Sequence, residues 1–413
     1  MEHPLSRLSI IVFGVLVLVL LLFPGGLMAA DVDFHPEISI EGEYTDNVTV
    51  QPGDLGESDL ISRLRILLPV FREWASGSFE FRYAPAYYWY RDTDYLDSDT
   101  HDLSFSLANR RSRKADFNLD VGYNKSVQQA GPESLLSGDL ILSEPVDRER
   151  AEFSTSYSRR ITKRFSWSGA LNASEFRYET VPGGDPGSGS EIVDRNQWGA
   201  SLEFDHDLSE QATLGILLSH SSNELDVTGS EDVDELAVVW TRNLGQPGDR
   251  FMLSLGAANR SGEFLPSGAI TPIVVEETEF SADASLIKTL QHSSWTLQVS
   301  RAPSSGGTAT VATTDTIAGA TYHFTPGPYW SGSVFGRYVS RDPVGDSIDS
   351  TDALAFGTSV EWRPTPKFGY RVGADVTDQS GQFGLEDTTV TRGWLGLVWY
   401  PRGVRSASGR SAV

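Results

Sequence analysis

The sequence predicts an all-β protein, a closed antiparallel transmembrane β-barrel of about 16–18 strands, with eighteen the best count. Three patterns predict it. Apolar side chains recur at every second position in segment after segment, the period of a strand. The connections between those segments alternate long and short. The long connections are acidic, whereas the short ones lean basic. Composition fits: 39% of the 413 residues are apolar and 11% aromatic, too few for a helical membrane protein and lean for a soluble chain of this size.

The first thirty residues read differently from the rest. Arg7 precedes the apolar run Leu8–Phe23, which ends at Pro24-Gly25-Gly26 with Leu27-Met28-Ala29-Ala30 before Asp31. A basic start, an apolar centre and a small-residue end make a secretory signal, cut after Ala29 or Ala30. The run is a little short for the rival reading, an anchor helix. The expected organisation is therefore a signal over residues 1–30, a barrel over 31–400 and a basic tail over 401–413.

Each strand is justified by its own alternation. In Ser78–Asp92, Phe79, Phe81, Tyr83, Pro85, Tyr87 and Trp89 share one parity and Glu80, Arg82, Ala84 and Ala86 the other. Before it come Ile38, Ile40, Gly42 and Tyr44, then Leu64, Ile66, Leu68 and Val70. After it come Leu103–Leu107, Phe117–Tyr123, Trp198–Phe204, Leu214–Leu218, Leu236–Trp240 and Phe251–Ala257. Trp295–Val299, Leu354–Trp362 and Phe368–Val376 complete the clear cases. Segments of about ten residues with one apolar parity are the signature of a membrane-spanning strand. Thr314–Phe324 and Thr391–Tyr400 read in either parity.

Short turns are expected near Arg72, Asn109–Lys114, Arg159–Lys163, Asp205–Ser209, Arg242–Asp249, Lys288–His292, Thr325–Pro328 and Arg363–Lys367. Long connections are expected between them, among them Val127–Asp147, Ser221–Asp234 and Asn259–Glu277. Short turns inside and long loops outside are the habit of outer-membrane barrels, and an even strand number leaves both termini periplasmic. Arg110, Arg111, Arg113, Lys114, Arg159, Arg160 and Lys163 crowd the short turns. A generic loop rule predicts no such difference of sign between the two ends.

With its signal, its uninterrupted hairpins and the stretch Glu43-Tyr44-Thr45-Asp46-Asn47-Val48 at the end of the first strand, the chain resembles the β-barrel porins associated with exopolysaccharide-export or exosortase systems. The resemblance implies an outer-membrane channel and a polysaccharide-export complex as a partner. At its C-terminus the chain departs from classical porins, because Tyr400 is followed by the tail Pro401–Val413.

Several chemistries are excluded. A net charge of -23 argues against nucleic acid, which demands a basic surface. The absence of cysteine excludes disulfides, thiolate metal sites and a cysteine nucleophile. His220-Ser221-Ser222 and His292-Ser293-Ser294 make no dyads, since neighbours on a strand point to opposite faces. The acidic run Glu231–Glu235 lacks the glycine spacing of a calcium loop. No catalytic residue, metal or cofactor is expected.

The lumen remains. Arg63, Arg65, Glu80, Arg82, Tyr88, Tyr90, Asn118, Asp120, Glu203, Arg371 and Asp375 fall on the inward parity and are the expected pore lining. Arg63 and Arg65 lie near the outer end, beneath the acidic loops. Two apolar loop stretches, Ser134–Leu142 and Phe264–Val275, are either constrictions or strand extensions. Three readings follow, in this order: a channel for hydrophilic solutes or an exported polysaccharide, a structural or adhesive barrel displaying acidic loops, and a barrel enzyme. The expected surroundings are outer-membrane lipid and lipopolysaccharide, reached through the barrel-assembly machinery.

Overall fold

A sheet with one apolar and one polar face, and no second layer to cover the apolar side, is satisfied when it separates lipid from water. Closing the sheet then pairs every backbone group, leaving no edge in the lipid. The computed structural model describes residues 32–49, 56–128, 146–180, 194–225, 229–246, 248–264, 273–304, 313–343, 350–380 and 387–401. In it the chain forms a closed antiparallel barrel of eighteen strands. They are β1 (Glu37–Thr45), β2 (Asp59–Trp74), β3 (Gly77–Tyr90), β4 (Ser98–Ser112), β5 (Ala115–Gln128) and β6 (Val146–Arg160). Then come β7 (Phe165–Thr180), β8 (Arg195–Asp207), β9 (Ala212–Leu225), β10 (Gly229–Asn243), β11 (Arg250–Phe264) and β12 (Ile273–Leu290). The last six are β13 (Ser293–Ser304), β14 (Thr313–Gly327), β15 (Trp330–Pro343), β16 (Thr351–Thr365), β17 (Phe368–Gln379) and β18 (Thr388–Trp399). Asp33–Phe34 adds a two-residue pairing against Val70 and Phe71 of β2.

Each strand pairs with its neighbours in sequence, and β18 returns to β1, with Arg392 opposite Thr45 and Trp399 opposite Ile38. The β2–β3 ladder skips Ile66–Leu67 opposite Ala84–Pro85, where Pro85 has no N–H to give. Partner register settles the two ambiguous segments. In β14 the residues opposite outward Trp295, Leu297 and Val299 are Tyr322, Ala320 and Ala318, which therefore face out. In β18 Leu395 and Leu397 are outward and strongly exposed, while Val390 and Val398 are buried on the inner side.

The outward face carries the exposed apolar side chains, among them Ile40, Ile216, Leu236, Val299, Phe356 and Val372. Aromatic rings edge it. At the short-turn end Trp295 packs on Tyr322 (4.3 Å between centroids), Trp330 on Trp362 (5.9 Å) and Tyr157 on Trp167 (5.6 Å). At the other end Tyr87 meets Trp89 (4.5 Å) and Trp198 meets His220 (5.0 Å). Two such girdles mark the two interfaces of a bilayer.

The short turns fall where the sequence places them. In the β10–β11 turn, Gly245 and Gly248 take positive φ, at 102° and 89°. Asp249 closes that turn by accepting from Lys288 Nζ and from the Thr289 N–H, both at 2.6 Å. Those bonds hold its carboxyl below the usual carboxylate range. The long connections differ from expectation. Ser221–Asp234 is mostly strand, for β9 runs to Leu225 and β10 starts at Gly229. Likewise Phe264 pairs with Ile273, so that end of the second apolar stretch extends the strands. Leu265, Ile270 and the whole Ser134–Leu142 stretch lie outside the described residues, as do the signal (residues 1–30) and residues 402–413.

Candidate functional site

Alternation aims the odd residues of β1, β2 and β17 and the even residues of β3 and β18 at the lumen. Closure then brings together side chains from opposite ends of the chain. Arg371 donates from Nε to Glu361 Oε2 (3.1 Å) and from Nη2 to Glu37 Oε1 (3.0 Å), and its Nη1 lies 3.9 Å from Glu41 Oε1. Glu41 also pairs with Arg63, whose Nη1 reaches the Tyr88 hydroxyl at 3.4 Å. Glu361 is further held by Arg363 (3.1 Å) and the Tyr400 hydroxyl (2.7 Å). Arg392 pairs with Asp375 at 3.0 Å. A charged stripe thus crosses six adjacent strands, β16, β17, β18, β1, β2 and β3.

Gly396 makes the crossing possible. It lies between Arg371 and Glu41 in register, and a Cβ there would overlap the Glu41 side chain. With no side chain on β18 at that point, Arg371 reaches over it to β1.

The expected lining residues stand as follows. Arg63, Tyr88, Arg371 and Asp375 belong to the stripe. Arg65, Glu80, Arg82, Asp120 and Glu203 face inward by register and make no ion pair among the described residues. Arg63, placed by its sequence beneath the acidic loops, pairs with Glu41, which stands opposite it on the neighbouring strand. Tyr90 points inward but is only 5% exposed, because the short 3₁₀ turn Asp94–Leu96 lays Leu96 over it beside Val48 and Ile61. Asp59 fixes that turn, accepting from the backbone N–H groups of Arg91, Asp92 and Thr93 at 3.0–3.1 Å.

Sequence reasoning missed a second knot near the long-connection end. Arg260 is fully buried, forms ion pairs with Glu231 (2.7 Å) and Glu279 (3.1 Å), and donates to the Thr313 carbonyl. Arg341 pairs with Asp315 nearby, at 3.3 Å. Parity alone would have placed Arg260 and Glu231 inward; the reading of Glu231–Glu235 as a loop hid them. Within β10 that acidic run splits, Glu231 and Glu235 inward and Asp232 and Asp234 outward, so it cannot converge on one ion. His220 and Ser221 divide between the faces in the same way, and His220 Nδ1 bonds Asp234 at 2.8 Å on the outer side.

No known protein family and no curated relative matches the sequence. Among solved structures the chain is similar to the outer-membrane protein OpdK of Pseudomonas aeruginosa, at 10% identity and a TM-score of 0.41, over 89% of this chain and 99% of that one. It is similar to OccK2 (OpdF) of the same organism in complex with glucuronate, at 12% identity and a TM-score of 0.42, over 89% and 98%. OpdL of Pseudomonas aeruginosa gives 11% identity and a TM-score of 0.41, over 90% and 99%. At such identities and TM-scores the likeness carries no argument about this chain. Its own wall does.

Proposed function

We propose that this protein is an outer-membrane channel of the porin kind, passing small hydrophilic solutes, and not an enzyme. One observation carries the proposal: a closed eighteen-stranded barrel with an apolar, aromatic-edged outer face has an inner face studded with charge. Charged side chains such as Glu80, Arg82 and Asp120, exposed and without an ion pair among the described residues, require water beside them. A barrel of sixteen to eighteen strands is wide enough to hold an aqueous channel. Lipid and lipopolysaccharide surround the outer face, the barrel-assembly machinery inserts it, and both termini lie in the periplasm at the short-turn end.

Solute flux tests the proposal. Liposomes carrying the purified protein should swell in arabinose at a rate proportional to the protein added; no swelling would refute a diffusion channel. The finer reading, a conduit for an exported polysaccharide in an export complex, rests on the resemblance at Glu43–Val48. In the structure that stretch clasps the seam, with Asp46 Oδ1 accepting from Thr391 N (2.7 Å) and Asn47 Nδ2 donating to Thr389 O (3.4 Å). Deleting the gene separates the two, because a conduit abolishes surface polysaccharide and a diffusion channel leaves it unchanged.

A further inference from the structure

The lumen wall holds a recess apart from the charged stripe. Its volume is about 600 Å³, within the range of small-molecule sites. Strands β4 to β10 form its floor, and Pro303 and Ser304 at the end of β13 line another side. Arg260 tethers that end, its Nη2 lying 3.5 Å from the Ser304 carbonyl. Six inward positions of the floor are polar and neutral: Ser104, Asn172, Ser174, Gln197, Ser221 and Asn223. Each presents a hydroxyl or an amide, groups that both donate and accept.

Asn223 decides the matter. It is 4% exposed, yet among the described residues neither its Nδ2 nor its Oδ1 has a hydrogen-bond partner. Its cross-strand neighbours are Gln197 and Glu231, and neither bonds it. A buried amide left unpaired is costly and rare. Here it lines a cavity, where a ligand can supply what the protein does not.

Most charges around the recess are engaged, while Asp120 makes no ion pair among the described residues. Arg150 pairs with Glu152, and both Arg150 and Arg195 lie over the Phe176 ring, at 5.0 and 4.1 Å. Glu231 is held by Arg260 at 2.7 Å. Two arginines (Arg150 and Arg195) and three acids (Asp120, Glu152 and Glu231) line the recess, and Arg260 behind it offsets Glu231, so the recess bears little net charge and does not favour anions. Amides and hydroxyls in a site of little net charge match a neutral polyhydroxylated solute, whose hydroxyls also donate and accept. We propose that the recess is a subsite for a neutral sugar on its way through the lumen, with the Asn223 amide as its central contact. This rests on the channel reading, since the solute arrives from the lumen.

The test uses sucrose as the probe. Equilibrium dialysis against detergent-solubilised protein measures binding, and planar-bilayer recording of the same preparation measures conduction. Saturable sucrose binding is expected, and Asn223→Leu should weaken it about tenfold, roughly the worth of one hydrogen bond. Heat stability should be unchanged or higher, because leucine has a similar shape and no partner is lost. Gln197→Leu, the second variant, should weaken binding as well, and citrate should not displace sucrose. Absence of saturable binding, affinity unchanged in both variants, or displacement by citrate overturns the subsite. A fall in heat stability in Asn223→Leu reveals a structural partner and overturns it too. Protein that conducts but does not bind sucrose refutes the subsite alone; protein that binds but does not conduct refutes the channel reading and with it the sugar's passage, leaving only a bound sugar.

Discussion

Placing an arginine on either side of one strand measures the two solvents directly. Leu218 on β9 faces outward, 45% exposed, between Leu202 and Leu236 on its neighbours. Leu202 lies four residues along β8 from the girdle residue Trp198. A strand rises about 3.3 Å per residue, or about 2.5 Å along the membrane normal at a tilt of about 40°. Leu218 therefore sits about 10 Å inside the girdle, near the middle of an apolar band about 25 Å tall. Leu218→Arg should cost about 2–4 kcal/mol of folding free energy. Ser219, the next residue, faces inward and its hydroxyl donates to Glu235 Oε2 at 3.1 Å. Ser219→Arg would lie beside that carboxylate in water, so its cost should stay within about 1 kcal/mol. Urea titration of the barrel refolded into liposomes reads both. Equal losses, or an innocuous Leu218→Arg, would refute the assignment of the faces.

Three further outcomes follow from the wall. Arg371→Ala strips Glu37 of its ion-pair partner among the described residues and weakens the stripe at the seam; with side chains 14–28% exposed, the loss should be about 2 kcal/mol, between an exposed and a buried pair. An unshifted urea midpoint would show that the stripe does not hold the seam. Asp46→Ala removes the carboxylate that caps Thr391 N, and should lower stability by about 1 kcal/mol in the same titration. Because the stripe's arginines are already paired, the acidic long connections should set selectivity: reversal potentials should show a mild cation preference at low salt that fades as the Debye length falls to about 8 Å and below, and anion preference would mean that Arg65 and Arg82 control the pore.

Strand existence and facing were legible because the bilayer enforces one apolar parity for about ten residues. Phe79–Trp89 and Phe368–Val376 read without ambiguity for that reason. Beyond the bilayer both faces meet water, the alternation fades, and the continuation of β9 and β10 through Ser221–Leu225 and Gly229–Asp234 looked like loop. Thr391–Tyr400 was ambiguous because Trp394 and Val398 are apolar on the inward parity, Val398 fully buried in the barrel wall. The lining was legible residue by residue, but its pairings were not. Glu41 and Arg371 meet only because β18 closes on β1, and Gly396 leaves the room; no local pattern encodes that meeting. The unpaired amide of Asn223 had no sequence signal at all, since a buried, unsatisfied asparagine looks like any other.

The account stands on an open, water-filled lumen, and single-channel recording of the purified protein in a planar bilayer addresses it most directly. Discrete upward steps of current are predicted, ohmic about zero voltage and rising in proportion to bulk salt at high ionic strength. A correctly folded, heat-modifiable barrel that inserts and yet stays silent would contradict the account and leave a closed barrel displaying its acidic connections.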